Sequence, residues 1–361
     1  MNILLFIVVL SVLVFVHELG HFLFAKMTKT KVHSFAIGFQ PTLLKKKIGE
    51  TTYKLNLIPF GGYVRIHGQD PEEEITEDLD RAYYTKPVWA KLGILIGGVF
   101  FNIVFAWILI SAALSIGTPV VATDENRAEL TNISNRILTV QTGSAGSDAG
   151  LEPGMQVESV TFQGIDYEKP NTEALIELVK IDPTGVFTFN VLDSNEPKSI
   201  SVTPEPVIGS DLPKLGLAVE NIGDKKIPFH KALVRGIKDT REMSNETVKA
   251  FIGLIKDAVS GGADVSTLTG PVGLVGHVGD AASYGLAFLL FFTALISINL
   301  AVLNMIPFPA LDGGQILFVL IEAVIRRPIN PKVARWLNMA GFALLMLLMV
   351  SVTVFDIVKI L

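Results

Sequence analysis

The sequence predicts a polytopic α-helical membrane protein with four transmembrane segments, the third broken, and one inserted extracytoplasmic α+β domain. Three observations carry that expectation. Of the 361 residues 50% are hydrophobic and 18% charged, too apolar for an ordinary soluble chain and too charged for one that is all membrane. Four apolar runs, Ile3–Phe24, Leu92–Ile116, Leu286–Ile306 and Leu337–Val354, reach or approach the roughly 20 residues that a spanning helix requires. The basic residues between them are unevenly placed, which sets the orientation.

The first segment, 1–26, has neither a basic leading region nor a small-residue cleavage site, so it reads as a retained span rather than a signal peptide. Residues 27–91 form the first connection. From Lys26 to Lys91 there are 11 Lys/Arg in 66 residues, against 14 in 168 from Gly117 to Tyr284. The denser first connection is therefore cytoplasmic and the long middle region external. The second span takes 92–117. In the middle region, 118–220 carries short alternating strands such as VFTFNVLD and KSISVTPE around one helical stretch, TEALIELVK. The connector 221–284 is amphipathic and helical from Phe229 to Asp264, suited either to the outer membrane interface or to packing on the outer domain. The third span, 285–325, is interrupted at NMIPFPALDGG, and Gln315–Ile325 beyond it is too short to cross alone, so the helix dips or re-enters. A short basic cytoplasmic loop, 326–336, leads to the fourth span, 337–361, which leaves both ends outside. The acidic run Glu72–Asp80 reads as a solvated face. The net charge of −5 offers no basic stripe for nucleic acid, and the absence of cysteine excludes disulfides and thiolate metal sites.

Within the first span stands FVHELGHF, Phe15 to Phe22. His17 and His21 are at i and i+4, so both imidazoles share one helix face and can hold one ion. Glu18 is adjacent and can accept a proton from a water that such an ion activates. Each ionisable group inside a membrane costs on the order of 2.5–3.5 kcal/mol on insertion scales, so three together need a compensating partner, and a metal is the simplest. A hydrolytic zinc site needs a third protein ligand and an open position. His33 and His67 fall in the cytoplasmic loop, and His230 and His277 fall outside. Among carboxylates, Glu322 and Asp356 lie near membrane ends, whereas Asp312 lies in the helix break. At ~1.5 Å per residue, His17 and Asp312 are both well inside the cytoplasmic half, which makes Asp312 the expected third ligand. A helix-capping role for Asp312 is the plainer alternative and is compatible with ligation. In the same break, Pro307 and Pro309 interrupt the helix and Gly313–Gly314 permit close backbone approach. The Asn304 amide can hold a substrate carbonyl or its developing oxyanion, or else bond between helices.

HELGH in the first span together with NMIPFPALDGG in the third resembles the site-2 protease family of intramembrane zinc metalloproteases, most closely the bacterial branch that cleaves anti-sigma factors. AGSDAGLEPGMQVESVTFQG resembles the PDZ domain inserted in that branch, present here once where some bacterial members have two. STLTGPVGLVG resembles the segment before its third span, and KPVWAKLGILIGGVFFNIVFA its second span. The resemblance implies Zn2+ held by residues matching His17, His21 and Asp312, with Glu18 as general base and no small-molecule cofactor; the catalytic role expected of Asn304 comes from its amide alone. It implies a multi-pass protein of the bacterial cytoplasmic (inner) membrane with the PDZ-like domain on the extracytoplasmic side. The partners implied are the lipid bilayer and a single-span protein substrate, cut beforehand by another protease and then hydrolysed within the membrane. A metal transporter using the His/Asp cluster, or a silent PDZ scaffold, are the competing readings. The first leaves Glu18 unexplained and the second leaves the whole set unexplained.

The first connection adds a capture device. In TTYKLNL the residues Tyr53, Leu55 and Leu57 alternate with Lys54 and Asn56, and IPFGGYVRI follows, with Gly61 and Gly62. This predicts a hairpin, resembling blocks that follow HExxH in the family, whose Tyr53–Leu57 strand receives an extended substrate by strand addition. An ordinary amphipathic hairpin on the membrane surface is the alternative.

Overall fold

The computed structural model describes residues 2–70, 76–123, 127–141, 144–193, 196–205, 213–260 and 270–360. The chain divides into two units, one of Met1–Ala112 with His230–Leu361, the other of Ala113–Phe229.

In the first unit, Leu, Val and Ile dominate α1 (Asn2–Met27), which is followed by two long strands, β1 (Val32–Ile48) and β2 (Thr51–Ile66). The second long apolar helix is α2 (Val88–Ile116). Among the described residues, four helices are long and apolar enough to cross a membrane: Asn2–Met27, Val88–Ile116, Leu286–Met305 and Pro331–Ile357. Small residues set how α1 and α2 meet. A Cβ on Gly20 would lie 2.2 Å from the Gly97 carbonyl oxygen, so this crossing admits no side chain at Gly20.

The hairpin is folded back on itself. Tyr53, Lys54 and Leu55 of β2 pair with Phe35, Ala36 and Ile37 on one side and with Lys46, Lys45 and Leu44 on the other. Gly62–Arg65 pair with the opposite edge of β1, at Ile37–Ser34. Phe35 seats the sheet on α1, its ring 5.7 Å from Phe15 and 5.4 Å from Phe22. Glu50, in the tight turn between β1 and β2, accepts from Lys26 at 2.6 Å and Arg81 at 2.8 Å. Arg81 and then Lys26 hold its carboxyl down to about 2. Because that lies below the ordinary glutamate value of ~4.3, this tie is fully present above pH ~4.3 and fades only as pH falls toward 2.

The second unit opens with β3 (Thr118–Val121), β4 (Leu130–Val140), the short α3 (Ala145–Asp148), β5 (Gln156–Phe162) and β6 (Ile165–Glu168). It continues with α4 (Thr172–Ile181), β7 (Phe187–Asp193), β8 (Glu196–Val202) and β9 (Leu217–Lys225). The seven strands form one antiparallel sheet in the order β3-β9-β4-β5-β7-β8, with β6 on β5. Alternation in β7 buries Phe187, Phe189 and Val191, and a bulge between Val157 and Ser159 of β5 brings Val157 and Val160 to the same face, against Leu175, Leu178 and Val179 of α4. β3 pairs only with the Ile222–Lys225 end of β9, so Leu217–Asn221 have one strand neighbour, β4, among the described residues.

The first unit resumes with α5 (Phe229–Ser260), α6 (Pro271–Ser283), α7 (Leu286–Met305), α8 (Asp312–Ile325) and α9 (Pro331–Ile360). Ser266–Thr269 of the STLTGPVGLVG stretch, Asp264 at the expected end of the amphipathic helix, and Glu72–Ile75 of the acidic run lie outside the described residues. α5 turns Ala232, Gly236 and Thr240 inward, with the Trp107 indole of α2 donating to the Leu233 carbonyl at 2.9 Å. Val234, Ile237 and Ile252 remain exposed. The last helix begins at Pro331, ahead of the expected 337. Asn330 accepts from the Lys332 N–H at 2.9 Å, and proline suits the first helical turn.

Candidate metal and catalytic site

The interruption between α7 and α8 is built by its own residues. A Cβ on Gly313 would sit 2.2 Å from the Ile306 carbonyl oxygen, and one on Gly314 2.3 Å from that of Phe308. Two glycines in the first turn of α8 therefore let the loop fold back across the helix start. Ala310 in that loop adopts φ +75°, a left-handed conformation that costs a non-glycine residue on the order of 1–3 kcal/mol, and its N–H is held by Asn338 Oδ1 at 3.2 Å. Asp312 is the first residue of α8. Leu311 at the N-cap makes no side-chain capping bond, and Asp312 Oδ2 is buried without a hydrogen-bond partner among the described residues. That orphaned oxygen speaks against a capping role alone.

What Asp312 Oδ2 does face is the pair of histidines on α1. It lies 3.1 Å from His17 Nε2 and 3.4 Å from His21 Nε2, and the two ring nitrogens are 3.1 Å apart. A tetrahedral zinc ion ~2.0–2.15 Å from each donor would set them roughly 3.3–3.5 Å from one another. Two imidazole nitrogens and one carboxylate oxygen, a few tenths of an ångström from that spacing, fit zinc with a fourth position left for a reactant. His21 is oriented for the task, since its Nδ1–H donates to the Ile94 carbonyl at 2.8 Å and leaves the Nε2 lone pair inward. Other carboxylates are engaged elsewhere. Asp356 accepts from the Gly270 and Gly273 N–H groups at 3.0 and 2.8 Å, capping α6, and Glu322 accepts from Ile329 N–H at 3.0 Å. His33 and His67 pair with each other at 2.9 Å.

A cavity of about 420 Å³ surrounds the cluster, lined by His17, Glu18, His21, Asn304 and Asp312 on the helices and by Gly61, Gly62, Tyr63 and Val64 of β2. Asn304 Nδ2 is 3.5 Å from His17 Nε2. Gly62 packs so closely on Glu18 that an added Cβ would be 3.2 Å from Glu18 Cγ. Gly61 and Gly62, named with the strand in the sequence, line the cavity. Tyr53–Leu57 do not line it. They form an inner strand, both edges of Tyr53–Leu55 are already paired, and Asn56 donates to the Gly38 carbonyl and accepts from Thr42, each at 2.8 Å. The edge that meets the cavity is Gly62–Ile66, which pairs with β1 alone among the described residues.

The sequence predicts α2 as the second span but not its part in the site. A Cβ on Gly98 would be 2.5 Å from His21 Nε2 and 2.7 Å from His17 Cε1, so both rings depend on the bare backbone there. Asn102, one turn on and fully buried, brings its amide within 3.2 Å of His17 Nδ1. The signal was present as a glycine pair and a lone amide in an apolar run.

A membrane-length helix that carries two histidines and a carboxylate, with the Asp312 carboxylate brought to them by the short α8 in one cavity, defines a membrane metallohydrolase. Comparison makes this more particular. The model of peptidase family M50 matches residues 5–348, and the chain belongs to that family, the site-2 protease family of zinc metalloproteases. A Clostridium perfringens (strain 13) protein is 33% identical over 355 residues, spanning 96% of each chain. A Nostoc sp. (strain PCC 7120) protein is 30% identical over 348 residues, 96% of this chain and 93% of its own. Both carry names that describe them provisionally as zinc metalloproteases. The regulator of sigma-W protease RasP of Bacillus subtilis (strain 168) is 27% identical over 430 residues, spanning 98% of this chain and 97% of its own. The cofactor is zinc, and the protein is a multi-pass membrane metalloprotease.

Proposed function

We propose that this protease cuts the transmembrane segments of single-span membrane proteins of the anti-sigma-factor type, as one step of regulated intramembrane proteolysis. The observation that carries the reading is the convergence of Asp312, at the start of the short α8, on His17, Glu18 and His21 of a helix of membrane-crossing length. The name of the Bacillus subtilis relative, a regulator of sigma-W, supports the substrate class. His17, His21 and Asp312 would hold the zinc. When bound, the ion supplies Lewis-acid activation of a water and of the peptide carbonyl. Glu18 takes the proton of the attacking water and delivers it to the leaving amine nitrogen. The Asn304 amide donates to the carbonyl oxygen as negative charge grows there. The Gly62–Ile66 edge holds the substrate extended by main-chain hydrogen bonds, which exposes a peptide bond that an intact helix would shield.

Sidedness follows from the charge distribution: the bacterial inner membrane, with 27–91 and the site in the cytoplasmic half and the sheet unit outside. The exposed apolar face of α5 then rests in the outer interface. On this topology the external unit acts on access rather than on chemistry, as a size filter that admits substrates already trimmed by another protease. Capture of a trimmed chain end is a second reading. It is favoured by a cavity of about 550 Å³ between α4 and the start of β9, lined by Leu175, Ile176, Leu215 and Leu217. Membrane proteomics of cells expressing wild type or Glu18→Gln tests the substrate class. Trimmed single-span proteins should accumulate several-fold in the variant, and unchanged single-span proteins would refute the proposal.

A further inference from the structure

We propose that Asn102 is a positioning residue that locks His17 in the tautomer able to bind zinc, by accepting a hydrogen bond from its Nδ1–H. The inference rests on His17 ligating through Nε2. That nitrogen faces Asp312 Oδ2 at 3.1 Å and His21 Nε2 at 3.1 Å, so its lone pair is the one directed at the shared centre. A ring that gives the Nε2 lone pair to a metal carries its proton on Nδ1. In an apolar interior that proton requires an acceptor. Asn102, 3.2 Å from Nδ1, is the group at hand, and it is fully buried. Its amide as placed turns Nδ2 to the ring and leaves Oδ1 buried with no donor among the described residues. That orientation suits the metal-free ring, with the proton on Nε2 toward Asp312. A half-turn of the amide exchanges its two ends at unchanged reach and gives Oδ1 the Nδ1–H of the zinc-binding tautomer, while the Nε2 lone pair stays directed at the shared centre. The backbone around it is fixed independently, since Ser297 donates to the Asn102 main-chain carbonyl at 2.8 Å. His21 has its own fixed acceptor in the Ile94 carbonyl, so Asn102 completes the pair.

The two ends of the amide can be told apart chemically, because a carboxylate accepts and does not donate. Zinc affinity is measured by chelator competition on purified full-length protein, alongside the thermal midpoint of the zinc-free form. Asn102→Leu should weaken zinc binding about 10- to 100-fold, as loss of an outer hydrogen-bond partner typically does, while Asn102→Asp stays within a few-fold of wild type. Asn102→Ala replaces the leucine variant if that variant does not fold. Wild-type affinity in the leucine or alanine variant overturns the proposal. So does an equal loss in Asn102→Asp, which would assign the amide a donor role, and so does a change confined to the thermal midpoint. His17→Ala separates this from the parent reading. If that variant keeps wild-type zinc affinity, ligation by His17 is itself wrong.

Discussion

His17, Glu18 and His21 could be singled out from the sequence because polar groups in an apolar run are expensive and these three share a spacing that one ion explains. Asp312 was reachable for a related reason, as a carboxylate in a helix break at matching depth. Asn102 was not, since a lone amide in a span is as readily an interhelical bond as a partner to a ligand. Only its distance to His17 Nδ1 separates the two. At this scale the test of the donor set is Asp312→Asn, which keeps shape and removes the anionic oxygen that faces both histidines. Zinc content should fall from about one per chain to well below half. Activity should fall by at least the ~100-fold that losing an outer partner can cost. Metal analysis that returns full occupancy with full activity would remove Asp312 from the site.

Among the elements, the membrane-length helices and the break in the third were written in hydrophobic run length and in proline and glycine. The hairpin was legible as strands but not as a sheet. Tyr53–Leu57 alternates as a strand should, yet alternation cannot say which edge is free. That depends on β1 pairing with both halves of β2, a register visible only in three dimensions. Two tyrosines make a matched pair for testing the corrected edge. Tyr63 lines the cavity, whereas Tyr53 is packed on Phe22 and Phe35, with ring centroids 6.0 and 6.1 Å away. With a photoreactive phenylalanine at either position in a Glu18→Gln background, substrate should cross-link from position 63 several-fold more than from position 53. Equal yields, or a yield from 53 alone, would return substrate capture to the inner strand.

For the whole molecule, the balance of apolar and charged residues announced a membrane chain carrying a sizeable non-membrane part, and the structure has four membrane-length helices and a separate seven-stranded sheet unit. Which face of the membrane that unit occupies rests on charge density alone. The sheet order was beyond local pattern, because β9 returns from the far end of its unit to lie between β3 and β4. What unites the levels is one claim: a hydrolytic zinc centre held by α1 and α8, with Glu18 moving the proton. Glu18 lines the cavity but is outside the three-donor cluster, so metal binding and chemistry should separate at this residue. The most direct measurement is zinc content and cleavage of a single-span substrate by purified Glu18→Gln protein. Zinc should stay at about one per chain, as in wild type, with cleavage reduced by at least the ~10²–10⁴-fold that a general base contributes. Cleavage at the wild-type rate with zinc in place would contradict the claim.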